Sequence, residues 1–231
     1  MQKIWEDIVK SQSPLEWVAA GTSLLCVWLT VRNNIWNWFW GFIGVILYGI
    51  IFWNYKNYAN AGLQILYFLP IQFIGWYVWK RKGPKQDDDL PVTQLSNTAR
   101  LVWLGVTVAL TALLYFGFRD WLPAAFPKMA ADPLPFWDGA TTAMSIVAQY
   151  LQVQKKFENW WLWVIVDLAY AGYVFPVQHL YVSAGLYVIF TVLAIVGAVS
   201  WVKIMREQEA VGALAAQKTA AADAETARTY A

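Results

Sequence analysis

The chain has 231 residues, of which 59% are hydrophobic and 14% charged, against roughly 45–50% and about 25% in ordinary soluble domains, which excludes a water-soluble globular fold. One cysteine, Cys26, and one histidine, His179, exclude an intrachain disulfide and a Cys/His metal cluster. The formal net charge of +2 says little by itself, and without a G-x-x-x-x-G-K-[ST] loop, an H-E-x-x-H or a G-x-S-x-G signature a nucleotide-driven pump and the familiar hydrolases are excluded.

Residues 1–14 lack a charged n-region followed by a short apolar run and a small-residue cleavage site, so they do not read as a cleaved signal. Ile4, Trp5, Ile8 and Val9 instead form one apolar face among Lys3, Glu6, Asp7 and Lys10, which predicts a helix lying along the membrane interface. Uncharged blocks then follow at the length needed to cross a hydrocarbon core of about 30 Å. They predict spans over 15–32, 35–53, 60–80, 100–118, 136–154, 159–177 and 181–203. In lipid every backbone donor and acceptor needs an internal partner, so these blocks are helices, and the fold class is an all-α integral membrane protein. In the third span Pro70 has no N–H for the carbonyl of Leu66, which predicts a disturbance of the helix there. Residues 81–99 read as a loop containing the acidic run Asp87-Asp88-Asp89, and the Ala-rich 207–231 as a mobile extension.

Seven spans put the termini on opposite sides. Lys3, Lys10, Lys56, Arg119 and Lys128 fall on one side and twelve basic residues on the other. By the positive-inside rule the second side is cytoplasmic, with the N-terminus outside and the C-terminus inside. An offset of 122 residues pairs Ser23 with Ser145, Leu29 with Leu151, Val31 with Val153, Asn37 with Asn159, Trp38 with Trp160, Ile43 with Ile165 and Tyr48 with Tyr170. A one-residue shift then matches Ala61-Gly62-Leu63 to Ala184-Gly185-Leu186 and Lys80 to Lys203. The pattern predicts a 3+1+3 parallel repeat: residues 15–80 and 136–203 are the two triplets and 100–118 the linker helix. Solute sites of such transporters lie near the midplane between the halves.

Trp160, Trp163, Asp167 and Tyr170 recur at helical spacing and form one stripe on the sixth span. An aspartate at mid-membrane costs about 2.5–3.5 kcal/mol to insert, so Asp167 faces either a wet cavity or a hydrogen-bonding neighbour helix. Thr142, Ser145, Gln149 and Gln152 follow the same spacing on the fifth span, as solute contacts or as interhelical polar contacts. Gln64 and Gln72 share a face of the third span, and Asn37 and Asn159 start the second and sixth spans, where capping and binding explain them equally. Among sixteen tryptophans, Trp17, Trp36, Trp53, Trp121, Trp137 and Trp201 stand near span ends, as an interfacial belt requires. Aromatic rings around one carboxylate suit a flat cationic solute, and neighbouring amides suit sugar hydroxyls. The candidate solute-binding set is therefore Gln64, Gln72, Gln149, Asn159, Trp160, Trp163, Asp167 and Tyr170. An intramembrane enzyme would need a second deep catalytic group, and a scaffold would leave Asp167 and the repeat unexplained.

Several motifs then carry a resemblance. They are Trp40-Gly41-Phe42-Ile43-Gly44 with Leu47-Tyr48-Gly49, Tyr58-Ala59 with Leu63-Gln64, and Gly75-Trp76-Tyr77. Ala148-Gln149, Lys155-Lys156-Phe157-Glu158-Asn159-Trp160, Trp163, Asp167 and Leu180-Tyr181 complete the set. From Leu15 to Arg206 the sequence resembles the PnuC family of bacterial nicotinamide riboside transporters, with Gly44 standing where the family pattern implies an asparagine. The resemblance implies a fold similar to full-length SWEET transporters and a location in the bacterial inner membrane. It further implies passive uptake of nicotinamide riboside, trapped in the cytosol by a kinase. Relatives carry other vitamins, and thiamine is also a cationic aromatic. No cofactor and no nucleic-acid partner are expected, and homo-oligomerisation is left open.

Overall fold

A computed structural model describes residues 14–54, 58–81, 90–127, 132–177 and 181–229. The expected interfacial helix, the acidic run 87–89 and His179 lie outside these residues. The described chain is all-helical apart from one isolated β-bridge. Helix α1 is Pro14–Val31 and α2 is Asn37–Asn54. Helix α3 joins Tyr58–Leu63, Gln64–Phe68 and Leu69–Lys80. Helix α4 joins Asn97–Phe116, Gly117–Trp121 and Leu122–Ala125, and α5 is Pro135–Val153. Helix α6 joins Asn159–Ala169, Tyr170–Val174 and Phe175–Val177, and α7 is Tyr181–Thr229. Five of the seven are long and apolar enough to cross a membrane. Helix α5 falls short because its buried face carries Thr141, Thr142, Gln149 and Gln152.

The middle segments of α3, α4 and α6 are π-helical turns. Each ends two residues before a proline: Phe68 before Pro70, Trp121 before Pro123, Val174 before Pro176. Proline cannot donate to the carbonyl four residues back, and its ring crowds that carbonyl. The turn before the proline widens, with Leu69 N–H reaching five residues back to the Gln64 carbonyl and Leu122 N–H to the Gly117 carbonyl, which eases the crowding. The disturbance expected at Pro70 takes this form. Helix α4 starts where Ser96 accepts from Ala99 N–H at 3.2 Å and runs past the expected 118 to Ala125. Helix α7 does not stop near 203. The segment read as a mobile extension continues as helix to Thr229, since Ala, Glu, Gln, Lys and Arg are strong helix formers.

The helices pack in a closed order: α1 on α2, α2 on α3, α3 on α5, α5 on α6, α6 on α7, and α7 back on α1. Helix α4 lies outside this ring against α5, with no residue of Asn97–Phe116 buried. Glycines set the close approaches. Gly44 faces Ser23 Oγ and Thr22 Oγ1 of α1, and a Cβ on Gly139 would meet the α4 backbone at Tyr115. A Cβ on Gly75 would overlap the Trp38 ring, and one on Gly197 the Trp160 ring.

At the end of the ring that carries Arg32, Lys80 and Lys155, the first and last triplets have the same geometry. Trp38–Trp79 and Trp160–Trp201 both meet edge to face at 5.4 Å and 88°. Trp79 Nε1 donates to the Gln152 carbonyl at 3.2 Å, and Trp201 Nε1 to the Thr30 carbonyl at 3.1 Å. Asn37 Nδ2 donates to the Asn34 carbonyl at 2.7 Å, and Asn159 Nδ2 to the Lys156 carbonyl at 2.6 Å. The α1–α2 and α5–α6 turns each place one residue left-handed, Asn33 at φ 50° and Lys155 at φ 48°. Asparagine tolerates that conformation and lysine less so. Lys155 is compensated by burial, 3% exposed with its ammonium 4.5 Å from the centre of the Trp79 ring.

Candidate functional site

The structure divides the α6 stripe into two groups. Trp160 is 2% exposed, wedged against Gly197 and Trp201 in the apolar core, and Asn159 closes the turn that precedes it. Both serve packing and capping. Trp163, Asp167 and Tyr170 continue the stripe toward the middle of the bundle and face α5. Trp163 Nε1 donates to Gln152 Oε1 at 3.3 Å. The Tyr170 and Thr141 hydroxyls lie 3.1 Å apart, and the Tyr170 ring packs on Tyr187 of α7 at 5.0 Å.

Asp167 lies between these two cross-links. It is 6% exposed, and among the described residues no side chain is hydrogen-bonded to its carboxylate. A carboxylate in that position has lost water without gaining a donor, which favours a cation or a hydrogen-bonding ligand beside it. Gln149, buried, shares a face of α5 with Gln152 and Ser145, so its amide belongs to the same stretch of wall.

Gln64 opens the π turn of α3, where its Cβ lies close to Gly49 of α2. That turn is tied to α5, because Tyr67 Oη donates to the Ile146 carbonyl at 2.6 Å. Gln72 is placed elsewhere. Its amide packs on Gly41, and it lines a groove between α2 and α3. Gly44, by contrast, serves the approach of α1 to α2.

A layer of tryptophans closes the bundle on the basic side of this region. Trp79 and Trp201, from α3 and α7, meet at 6.2 Å and join the two edge-to-face pairs into one row. In the row and the turns behind it Asn37 Oδ1, Trp38 Nε1, Asn159 Oδ1 and Trp160 Nε1 are buried without a partner among the described residues. A strap before α4 covers the α5–α6 turn. Thr93 N–H donates to the Lys155 carbonyl at 3.1 Å, Phe157 N–H to the Thr93 carbonyl at 2.9 Å, and Lys156 Nζ to Thr93 Oγ1 at 2.9 Å. Glu158 receives Leu95 N–H at 3.1 Å and pairs with Arg100 at 2.8 Å.

Sequence reasoning missed Thr141, Tyr187 and the strap. Thr141 was legible as the residue four before Ser145, on the same helical face. Tyr187 and the strap depend on which helix packs on which, and no spacing announces that.

Apolar helices closed around an interior of amides, hydroxyls and one carboxylate form a multi-pass membrane transport protein. A family model described as nicotinamide mononucleotide transporter matches residues 13–203. The chain is 33% identical over 213 residues to the nicotinamide riboside transporter PnuC of Escherichia coli (strain K12), covering 84% of this chain and 88% of that protein. It is 27% identical over 203 residues to the riboflavin/roseoflavin transporter RibM of Streptomyces davaonensis, covering 86% and 84%. The crystal structure of the vitamin B3 transporter PnuC matches with a TM-score of 0.68 at 26% identity, over 87% of this chain and 85% of that one. The chain belongs to the PnuC family, and it is a transporter, not an enzyme.

Proposed function

We propose that this protein carries nicotinamide riboside across the bacterial inner membrane by facilitated diffusion, and that a cytosolic kinase traps the solute by phosphorylation. The observation that carries this reading is Asp167, a buried carboxylate without a side-chain donor, flanked by Trp163 and Tyr170. The pyridinium of the solute satisfies both features, as a cation for the carboxylate and a flat ring for the aromatic walls. Gln64, Gln149 and Gln152 supply donors and acceptors for ribose hydroxyls. Trp160 and Asn159 hold this wall in place without touching solute.

The architecture we propose is the 3+1+3 parallel repeat, with α4 as the linker and a pseudo-twofold along the membrane normal. The matched tryptophan and asparagine geometries support it, all at a spacing of 122 residues. The π turns explain why the spacing drifts. One in α6 adds a residue after Tyr170, taking the offset to 123 at Ala61/Ala184, and one in α3 restores 122 at Gly75/Gly197 and Trp79/Trp201. Lys80 then stands opposite Val202 and not Lys203. Alternating access follows as rocking of one triplet against the other, with the tryptophan row as the gate on the cytoplasmic side. The basic residues at that end support an external N-terminus and an internal C-terminus.

A second reading, a flavin as solute, is favoured by one observation, the similarity to RibM. Uptake by proteoliposomes decides between them. Labelled nicotinamide riboside should equilibrate without being concentrated, with or without a proton or sodium gradient. Uptake of riboflavin and not of the nucleoside would replace the substrate, and gradient-driven accumulation would refute facilitated diffusion.

A further inference from the structure

Gln72 lines a groove away from the α5–α6 wall. It sits on the floor of a cavity of about 310 Å³ bounded by Trp38, Phe39, Phe42, Phe73 and Trp76. The walls open outward: Phe39 is 43% and Phe73 61% exposed, on helix faces that continue with Ile46 and Ile50 of α2 and Ile74 and Tyr77 of α3. In a membrane-spanning bundle such faces meet lipid, so the groove opens sideways into the bilayer and not into the interior of the ring. Edge-to-face contacts hold its walls, Phe42–Phe73 at 5.3 Å, and Trp36 flanks its cationic end against Phe39 at 5.8 Å and Trp76 at 5.4 Å.

Two independent features point to a ligand. The first is Gln72 itself, 6% exposed, whose amide has no hydrogen-bond partner among the described residues. The second is charge at the mouth. Gln72, Trp76 and Lys80 are four apart on α3, as are Phe73, Tyr77 and Arg81, so two cations stand one turn beyond the groove on its own stripes. The Arg81 guanidinium rests 5.1 Å from the centre of the Tyr77 ring, and among the described residues no carboxylate pairs with Lys80 or Arg81.

We propose that the groove between α2 and α3 holds one acyl chain of an anionic phospholipid, whose phosphate is bound by Lys80 and Arg81 at its mouth. The size fits one chain segment, being at the small end of ligand cavities. The aromatic walls provide an apolar channel, the Gln72 amide meets the ester region or a water carried with it, and the paired cations select a net negative headgroup. The site is separate from the solute wall of α5 and α6. Its lining comes from α2 and α3, so its occupant holds these two helices together.

The test is lipid retention by the purified full-length protein. Phosphatidylglycerol and phosphatidylcholine with the same acyl chains are titrated onto detergent-solubilised protein and read by native mass spectrometry. The parent should retain the anionic lipid about tenfold better, and the K80Q/R81Q double variant should lose that preference while staying folded. A phosphatidylglycerol bearing a diazirine near the middle of its chain should crosslink to Phe73 and Trp76 ahead of the exposed α4 residues Val102 and Val108. Equal retention of the two lipids by the parent would overturn the proposal. So would an unchanged preference in the double variant, or crosslinks spread evenly over α3 and α4.

Discussion

The first and last helix triplets share one end and differ in the middle. Toward the basic end, Trp38, Gly75 and Trp79 find counterparts in Trp160, Gly197 and Trp201, and the angles and distances agree. Midway along the bundle the positions 122 residues apart diverge: Val45 against Asp167, Gly41 against Trp163, Gln72 against Ala194, Val27 against Gln149. Gly41 and Gln72 pack together in the first triplet, and where the second has Trp163 it has Ala194 in place of the glutamine, so volume is exchanged between partner helices. The matched end therefore packs both halves alike, and the unmatched middle places the proposed solute wall on the second half alone. The strap adds to the asymmetry. It covers the Lys155–Glu158 turn, while in the turn of the first triplet Asn34 Oδ1 caps Trp36 N–H locally at 2.9 Å.

The sharpest way to break the matched end is to fill its glycines. Gly75→Ala and Gly197→Ala each drive a methyl into a buried tryptophan, at about 1–3 kcal/mol or more for overpacking. Thermal unfolding in detergent should show both variants destabilised by similar amounts, whereas Gly62→Ala, where nothing lies within 4 Å, should be neutral or slightly stabilising. A large effect at one glycine alone would dissolve the equivalence. Next in size, Asp167→Asn should weaken a cationic nucleoside about thirtyfold, the equivalent of about 2 kcal/mol for a desolvated charge contact, while Val45→Asn at the matched position leaves affinity unchanged. Trp163→Leu removes a ring and the bond to Gln152, and about tenfold weaker binding is expected in a direct titration. The smallest effect belongs to the strap. Glu158→Gln weakens the bonds to Leu95 and Arg100, which should raise amide exchange over residues 92–96 and leave solute affinity within about twofold.

The helical spans were legible because lipid leaves a hydrocarbon-crossing chain one economical way to pair its backbone. The proposed offset of 122 rests on Asn37/Asn159 and Trp38/Trp160, which are chemically distinctive in sequence and similar in geometry. The pairing of Lys80 with Lys203 keeps the one-residue shift, whereas the proposed register, with a π turn before Pro70 and another before Pro176, returns to 122 beyond them. At the site, Trp163, Asp167 and Tyr170 were readable as one face of one helix. Trp160 shares their stripe by spacing alone. Whether it meets solute or core depends on Gly197, a residue of α7 that no periodicity links to it. Gln72 makes the same point, expected in the solute site and found lining the α2–α3 groove: a helical face names a direction, and only the neighbour helix decides whether that direction is interior or groove.

The central claim is that one buried carboxylate, present in the second triplet alone, selects a cationic aromatic solute. Isothermal titration of the purified parent and of Asp167→Asn, each with nicotinamide riboside and with its reduced, uncharged form, measures that selection directly. The parent should prefer the cation by about tenfold or more, and the preference should vanish in the variant. A folded Asp167→Asn protein that keeps the parent's preference for the cation would contradict the account.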